Sequence, residues 1–367
     1  MKIALLTPGG MARGGEGEVI HCLLWLVELL VRAGHAVHVF VPRQESRPAT
    51  WPLLGATVHN AGKWPRQARM LGSIWREHGQ APFDVIHAFW ASLSPVGATA
   101  GKALGVPLVV TMPGGELVGL PEIRYGGRST LAGKAQLKIA ALAARKVTVP
   151  SEFMRNIAAD IGLEAQTVPL GVSLEHWAPA PPRPRDPTAP LRLLHVASLN
   201  RVKDQPTLFR ALAIARSRGV RFGLRIAGCD TLDGEIQRLA HHLGLDEDIR
   251  FLGLLPLAQL RQEYDQADLL VMASRHDAGP QVMLEAALAG IPTVGTSVGH
   301  IADHSPAAAL AVPVGDPDAL AGAICALAEN EGRRLDMAGA AQAIATRYDA
   351  SYTARSFVEI YRDVCSG

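Results

Sequence analysis

Cysteine is scarce in this chain, which has four in its 367 residues. Cys22, Cys229, Cys325 and Cys365 are far apart and form no C-x-x-C pair. A disulfide framework and a thiolate zinc site are therefore not expected, and a reducing cytoplasm is the expected location.

Long apolar runs are also lacking. The longest, Cys22 to Val31, is interrupted by Glu28 and is about half of what a helix needs to span a bilayer. It is expected to form the buried face of a helix in a globular protein. The first residues, MKIALLTPGG, enter a glycine-rich turn without the apolar core of a secretory signal, so we expect no leader.

Two further motifs are missing. The zinc-protease motif H-E-x-x-H does not occur, and the dinucleotide fingerprint is incomplete. The glycine-rich loop PGGMARGGEGEV contains Gly15 and Gly17, but Ile20 stands where the third glycine of G-x-G-x-x-G belongs. Dinucleotide binding is therefore disfavoured. The loop is expected to approach a ligand phosphate or sugar closely, because glycines permit that approach ahead of a helix.

Charge is unevenly distributed along the chain. Residues 1–172 hold 17 Lys and Arg against 11 Asp and Glu, whereas the remainder holds 19 against 23. Such an excess either indicates an anionic partner for the first half or has no functional meaning. The basic, aromatic stretch 63–76 (KWPRQARMLGSIWR) is where we expect a membrane, an anionic lipid or a sugar. A solvated helix with its tryptophans turned inward is the alternative.

Short apolar runs alternate with helix-like segments along the whole chain. Lys2–Thr7 and His35–Val41 flank a stretch with apolar residues every three or four positions, which predicts a β-loop-α-β opening. The alternation continues to about residue 172 and starts afresh at residue 191. We therefore predict two doubly wound parallel α/β domains, spanning 1–172 and 191–347.

Residues 173–190 include the proline-rich run APAPPRPRDPTAP, which predicts an extended connector between the domains. The last segment, 348–367, is amphipathic, and we predict a helix that packs back on the first domain. Ligands bind such sheets at the carboxyl ends of their strands, so an interdomain cleft is the expected site.

Two loops after predicted strands carry charged residues. In SLNRVKD, Lys203 is either a solvated surface lysine or the charge that neutralises a departing phosphate. In SRHDAGPQVMLEAALAGIPTVGT, residues 274–296, Asp277 lies in a loop and Glu285 on the following helix. Glu285 stands among apolar residues, so its carboxylate needs a donor. A ribose hydroxyl, a basic side chain or a helix cap could supply it.

These motifs resemble the retaining glycosyltransferases of family 4, which have the GT-B architecture of two facing Rossmann-like domains. The resemblance covers essentially the whole chain. It is carried by the glycine loop, DVIHAFW, VPLGVSLEHW, LLHVASLNRVKD and DAGPQVMLEAALAGIPTVGT. The last segment is the most specific, because the family has two acids separated by seven residues there, then a helix and a Gly-x-Pro strand entry.

The resemblance implies roles for residues at matching positions. Lys203 resembles the family's lysine on the donor diphosphate, Glu285 the glutamate that binds the ribose, and Gly15 the glycine that closes over the donor. The loop whose backbone is implied to meet the donor sugar and phosphates comprises Gly279, Pro280, Gln281 and Val282. Base selectivity is expected in the loops that begin at Gly228 and Gly253.

The chain departs from the family pattern at three positions. The first acid is Asp277 rather than glutamate, which shortens its reach toward the donor sugar by one methylene. Ser198 stands where the family has a phosphate-binding arginine, and Arg201 could supply the guanidinium from a shifted position. Pro113 replaces a histidine, which leaves the acceptor-side base open.

Glu116 and His87 are the candidates for that base, although His87, in the predicted strand DVIHAF, is otherwise a structural histidine. The implied activity is metal-independent, retaining transfer of a sugar from a UDP- or GDP-sugar to a hydroxyl of a glycan or lipid-linked acceptor. No metal, other cofactor or nucleic acid is expected, and peripheral membrane contact would use residues 63–76. A sugar-nucleotide binding protein without turnover and a sugar-nucleotide epimerase remain alternatives.

Overall fold

The structure is a computed structural model that describes residues 1–15 and 19–366. Gly17 of the incomplete dinucleotide motif lies outside the described residues. The chain divides into two compact units. The first unit consists of Met1–Ser173 together with Tyr348–Gly367, and the second unit consists of Leu174–Arg347.

Buried apolar segments form the sheet of the first unit. Its described strands are β1 (Lys2–Leu6), β2 (Ala36–Val41), β3 (Ala49–Leu53), β4 (Ala56–Asn60), β5 (Val85–Phe89), β6 (Leu108–Thr111), β7 (Lys146–Val149) and β8 (Gln166–Thr167). They lie in the order β3-β4-β2-β1-β5-β6-β7-β8, and all neighbours except β3 and β4 are parallel. The strand order reverses between β1 and β5, which creates the switch point where ligands bind in open α/β sheets.

The edge strand β3 is absent from the sequence-based prediction. It contains Pro52, which removes a backbone donor and is tolerated in a sheet mainly at an edge. β3 pairs antiparallel with β4, and its Trp51 is 3% exposed beneath the guanidinium of Arg13, 4.6 Å from the ring centroid. Tertiary packing therefore stabilises β3 as a strand, although the proline in its sequence disfavours one.

Helices flank this sheet, and the first follows the predicted three-and-four periodicity. Its leucines and valines, Leu23, Val27 and Leu30 among them, are buried against the strands. Helix α3 contacts both α2 and α4, so these three form one layer. The described helices before residue 173 are α1 (His21–Arg32), α2 (Arg66–Gln80), α3 (Ser94–Leu104), α4 (Leu131–Ala143) and α5 (Glu152–Asp160).

The second unit repeats the alternation with an all-parallel sheet. Its strands are β9 (Leu191–Val196), β10 (Phe222–Ala227), β11 (Ile249–Gly253), β12 (Leu269–Met272), β13 (Thr293–Thr296) and β14 (Ala309–Val312). Its helices are α6 (Gln205–Ser217), α7 (Glu235–His242), α8 (Leu257–Gln266), α9 (Gln281–Leu288), α10 (Gly299–His304), α11 (Pro317–Glu329) and α12 (Glu331–Arg347). The strand order β11-β10-β9-β12-β13-β14 is that of a Rossmann sheet, with its switch point between β9 and β12.

The proline-rich run at residues 178–190 has neither helix nor strand, and it packs along the second unit. The backbone N–H of Ala180 donates to Leu288 at 2.8 Å, and the carbonyl of Arg183 accepts from Arg334 at 2.7 Å. Trp177, just before the run, is 1% exposed. These bonds hold the segment in one path although its composition offers few donors.

The C-terminal helix α13 (Ala350–Ser366) belongs to the first unit. Its apolar face, with Phe357, Ile360 and Tyr361, enters the same core as β1 and β5. Thr353 Oγ1 donates to the carbonyl of Pro169 at 2.6 Å, which fixes the start of the helix. No helix in the described residues is both long and apolar enough to cross a membrane.

Candidate functional site

The two charged loops predicted from the sequence meet at the switch point of the second unit. Lys203 lies in the loop that follows β9, and Asp277 lies in the loop that follows β12, the neighbouring strand. Lys203 Nζ is 2.5 Å from Asp277 Oδ2, and the two side chains are 24% and 14% exposed. The pair therefore combines an ordered geometry with access from solvent, as a ligand-binding ammonium requires.

A buried polar network holds the Lys203 loop. The amide of Gln205, at the start of α6, donates to the carbonyl of Ser198 and lies 3.2 Å from Nε2 of His195. His195 Nδ1 is 2.8 Å from the carbonyl of Val271 on β12, so this nitrogen carries the proton and Nε2 accepts. Burial lowers the pKa of His195 to about 4, which keeps the ring neutral in this role. No motif in the sequence indicates this network.

Glu285 is a buried carboxylate on α9, 6% exposed. Tyr264, on α8 and fully buried, donates its hydroxyl to Glu285 Oε2 at 2.8 Å. The indole N–H of Trp177 donates to the backbone carbonyl of Glu285 at 3.1 Å, and its ring packs edge-on against Tyr264. Burial raises the pKa of Glu285 to about 7, and the tyrosine hydrogen bond partly offsets that effect.

Tyr264 was missed by sequence reasoning, although it supplies the donor that Glu285 was predicted to need. It lies 21 residues away on a different helix, so no local spacing connects the two. The hydroxyl occupies Oε2 alone. A carboxylate can accept at both oxygens, so Glu285 keeps acceptor capacity for a further hydroxyl.

The four predicted donor-loop residues lie at the start of α9. Pro280 is the residue that precedes the helix, Gln281 and Val282 form its first turn, and Gly279 comes immediately before. Pro280 provides no side-chain hydrogen bond to cap the helix. The N–H of Met283 in the first turn bonds back to the carbonyl of Pro280 at 3.1 Å, and the positive end of the helix dipole at this terminus favours an anion.

Two glycines allow backbones to approach closely at this edge of the sheet. Gly299, at the start of α10 with φ of +52°, faces the donor loop, and a Cβ there would lie 2.8 Å from the carbonyl of Asp277. Gly228, after β10, has φ of +154°, and a Cβ would lie 2.0 Å from the carbonyl of Ala197. Gly253 ends β11 and is exposed, with its carbonyl accepting from the Gly228 N–H at 2.8 Å.

Arg201 does not supply the missing guanidinium in the way the sequence suggested. Its side chain is 57% exposed, and its Nη2 donates to Glu235 Oε2 at 3.0 Å. The residue thus forms a surface ion pair with α7, whereas Lys203, two positions later, pairs with Asp277. The two side chains take different directions because residues 200–203 form a turn, in which the N–H of Lys203 bonds back to Asn200.

In the first unit, Gly15 and Glu116 follow the carboxyl ends of strands. Gly15 has φ of +75°, and a Cβ there would lie 3.9 Å from the side chains of Leu24 and Leu53, at ordinary van der Waals distance. Glu116 follows β6, and its Oε2 accepts from the N–H of Gly114 at 2.8 Å. Its Oε1 is enclosed and has no hydrogen-bond partner in the described part of the chain. Burial raises the pKa of Glu116 to about 7, against a smaller opposite effect of backbone N–H groups.

His87 is corrected to a structural residue. It is fully buried in β5, with Nδ1 2.7 Å from the hydroxyl of Tyr361 and Nε2 2.7 Å from Oγ1 of Thr111. Burial lowers the pKa of His87 to about 3. Because both nitrogens are engaged inside the core, the ring has no path to an acceptor, and Glu116 is the remaining candidate base.

Among the described residues, His38, His59 and Glu77 form a group that could hold a metal ion, with ligand atoms within 4.8 Å of one another. The group lies in the first unit, on β2, β4 and α2, and includes none of the predicted donor-binding residues. Nδ1 of His38 and Nε2 of His59 are already 3.0 Å apart, at hydrogen-bond distance.

Comparison with protein families gives two matches. Residues 22–176 match Glycosyltransferase Family 4, and residues 190–330 match Glycosyl transferases group 1. A D-inositol 3-phosphate glycosyltransferase from Corynebacterium urealyticum is 32% identical over 46% of this chain and 42% of the relative. The enzyme of the same name from Kineococcus radiotolerans is 25% identical over 98% of this chain and 95% of the relative.

Solved structures share the fold over nearly the whole chain. Sucrose-phosphate synthase from Thermosynechococcus elongatus has a TM-score of 0.81 at 17% identity, covering 99% of this chain and 98% of its own. The Anabaena protein HepE, solved with UDP-glucose, has a TM-score of 0.77 at 20% identity, covering 99% and 100%. These structures confirm the predicted GT-B fold. The family matches together span most of the sequence, and the chain belongs to the family 4, group 1 glycosyltransferases.

Proposed function

We propose that this glycosyltransferase moves a sugar from a nucleotide diphosphate sugar to a hydroxyl acceptor with retention of configuration and without a metal ion. The observation that carries the proposal is the ion pair between Lys203 and Asp277 at the switch point of the second sheet. Ligands bind open α/β sheets at such a point, and an ammonium there meets a diphosphate.

Lys203 and the start of α9 have complementary tasks. An ammonium has three donors, so Lys203 can keep its bond to Asp277 while it donates to a phosphate oxygen. The start of α9, just after Pro280, would present the positive end of its helix dipole to the same charge. Both stabilise the negative charge that develops as the bond between the sugar and the diphosphate breaks.

Glu285 is proposed to accept hydrogen bonds from the ribose hydroxyls. Its carboxylate is oriented by Tyr264 and retains an oxygen for this purpose. Asp277, held by Lys203, is proposed to face the donor sugar. The loops at Gly228 and Gly253 would then meet the base.

The acceptor hydroxyl attacks the anomeric carbon from the face that the diphosphate leaves. The carbon–oxygen bond to the acceptor forms as the bond to the diphosphate breaks, and the hydroxyl proton passes to the departing phosphate oxygen. No strong protein base is needed for that step. Glu116, with a pKa of about 7, is proposed to bind the acceptor hydroxyl and orient it.

UDP-sugars are the first donors to test, because HepE was solved with UDP and with UDP-glucose, and GDP-sugars are the second. The acceptor class proposed from the sequence is a glycan or a lipid-linked intermediate. The names of the curated relatives add D-inositol 3-phosphate, a phosphorylated polyol, to the acceptor panel.

A peripheral location on the cytoplasmic face of a membrane is part of the proposal. It is supported by the α2 patch, defined as residues 63–76, in which Trp64 is 87% and Trp75 47% exposed. Exposed tryptophans beside arginines suit a membrane interface. The predicted alternative, in which the tryptophans turn inward, does not fit that exposure.

The test is donor turnover with a panel of radiolabelled UDP- and GDP-sugars and extracted acceptors. We expect the full chain to release UDP or GDP. The rate of this release should be reduced about 10²- to 10³-fold in Lys203→Ala, as for the loss of one charge-stabilising donor. Lys102→Ala, on the surface of the first unit, is the matched control and should retain activity. Donor binding without turnover across the panel would instead support a binding protein, and conversion to an epimeric sugar nucleotide would support an epimerase.

A further inference from the structure

The segment from residue 123 to residue 151 has no acidic residue, whereas it contains six basic ones. They are Arg124, Arg128, Lys134, Lys138, Arg145 and Lys146. Glu122 and Glu152 border the segment. In a chain whose total net charge is +2, this is a strong local concentration of positive charge.

Helix α4, at the centre of this segment, is barely buried. Ala140 is its one fully buried residue, and every α4 residue is described. Leu131 is 85% and Leu142 is 77% exposed. They are eleven residues apart, about three turns and roughly 17 Å along the axis, so both point to the same side. Lys138, seven residues after Leu131, lies on that same stripe.

A surface cavity of about 330 Å³ adjoins this stripe. Arg128, Lys134 and Lys138 line it on the α4 side, and Ile161 and Leu163 line it beyond the end of α5. No acidic side chain is among its lining residues in the described chain. Within residues 1–15 and 19–366, none of the three basic side chains forms an ion pair or a hydrogen bond. Three uncompensated cations around one open surface cavity favour an anion.

We propose that α4 and its flanks, residues 128–146, dock on an anionic phospholipid surface, with one lipid phosphate in the cavity between Arg128, Lys134 and Lys138. Leu131 and Leu142 would enter the boundary between headgroups and acyl chains, as apolar residues of interfacial helices do. The basic groups on the same stripe would remain at the level of the phosphates.

The chemistry of the surface favours this occupant over nucleic acid. The exposed large side chains on α4 are aliphatic, and the stacking of bases needs aromatic or guanidinium planes. Exposed leucines together with unpaired lysines fit a phospholipid surface, whose acyl chains are apolar and whose headgroup phosphates are anionic. The α4 surface is separate from the α2 patch, with α3 between them. It does not depend on the donor reaction, so a failure of the proposed transfer would leave it intact.

Vesicle sedimentation of the full chain tests the proposal. Vesicles of phosphatidylcholine alone are compared with vesicles that also contain phosphatidylglycerol. We expect binding to the anionic vesicles only, and at least about tenfold weaker binding for Lys134→Glu/Lys138→Glu, because each basic residue near such a surface is worth about fivefold or more. The matched control is Arg210→Glu/Arg333→Glu, which makes the same change of net charge on the second unit and should bind like the unaltered chain.

The leucines are tested separately at high salt, which weakens the charge contribution. Leu131→Ser/Leu142→Ser should lower residual binding severalfold, whereas Leu254→Ser, which alters a 73% exposed leucine of the second unit, should not. The proposal is overturned if no vesicle binds, or if the α4 variants bind normally while Trp64→Ser/Trp75→Ser abolishes binding. It is also overturned if inorganic phosphate saturates the cavity cations but leaves vesicle binding unchanged.

Discussion

The two units share the order of the parallel strands around the switch point but place their charged groups differently. In the second unit, Lys203 and Asp277 lie in the loops after two neighbouring strands at the switch point, and Glu285 lies on the helix that follows the second loop. Lys203 and Asp277 pair with each other, and Glu285 bonds to Tyr264. In the first unit, the switch point between β1 and β5 is followed by the glycine loop and by the uncharged residues after β5. Arg128, Lys134 and Lys138, which have no ion-pair partner in the described part of the chain, lie on α4 and just before it. Topology thus provides an edge for ligands, while side chain placement decides which ligand each edge takes.

The sharpest contrast is between two buried carboxylates whose pKa values are both raised to about 7 by burial. Glu285 is oriented by the Tyr264 hydroxyl on one oxygen. Glu116 is held by the N–H of Gly114, while its Oε1 is enclosed. Burial therefore raises both pKa values, and the hydrogen bond that opposes this rise comes from a side chain in one unit and from a loop backbone in the other.

The largest expected effect concerns donor affinity. Glu285→Ala should weaken UDP or GDP binding by at least about 100-fold, because two hydrogen bonds between the ribose and a charged acceptor are together worth roughly 3–6 kcal/mol. Glu116→Ala should leave nucleotide affinity unchanged and reduce transfer to acceptor. Isothermal titration calorimetry with UDP and GDP measures the first effect, and acceptor-dependent product formation measures the second.

Glu285→Gln is the control for that comparison, since it preserves volume and one acceptor oxygen and should bind nucleotide with intermediate affinity. Equal losses of nucleotide binding in Glu116→Ala and Glu285→Ala would remove the proposed division of roles between the two units.

A second prediction concerns stability as a function of pH. Because the folded pKa of each carboxyl lies above its ordinary value of 4.5, the folded chain keeps a proton that the unfolded chain loses. The free energy of unfolding should therefore fall as the pH rises from about 4.5 to 7, by up to ~1.4 kcal/mol per pH unit for each group. Glu285→Gln and Glu116→Gln should each remove one share of that slope in urea unfolding.

Tyr264→Phe separates the two carboxyls in the same experiment. The tyrosine hydrogen bond favours the charged form of Glu285, so its removal should raise the pKa of Glu285 further and extend the falling slope to higher pH. The share of Glu116 should stay where it was. A slope unaffected by all three variants would show that neither carboxyl is desolvated in solution.

The fold was largely predictable because its strands are continuous apolar runs between loops. β6 and β12, for example, are buried on both faces and carry the signal of parallel strands. β3 escaped, since Pro52 contradicts a strand unless the edge position is known. The packed path of the proline-rich run escaped too, because its bonds reach residues such as Leu288 and Arg334 that are distant in sequence.

The candidate site was predictable where a residue lies in a loop after a strand, as Lys203 and Asp277 do. Their ion pair follows from the adjacency of β9 and β12, which spacing along the chain does not reveal. His87 was left open between a structural and a catalytic role, because its place in a strand near the expected cleft did not disclose that Tyr361 and Thr111 enclose it. Partners from distant segments determine both outcomes.

The smallest expected effect is that of Arg201, which distinguishes a ligand residue from a surface one within the same loop. Its guanidinium pairs with Glu235 and is 57% exposed, and exposed ion pairs of this kind contribute about 0.2–1 kcal/mol. Arg201→Ala should therefore change stability by less than about 1 kcal/mol and nucleotide affinity by less than about threefold. Glu235→Ala frees the same guanidinium and serves as the control. If Arg201→Ala instead matched Lys203→Ala in loss of turnover, the guanidinium would have to leave Glu235 and bind the donor phosphate. The donor site of the second unit would then include Arg201 as well as Lys203.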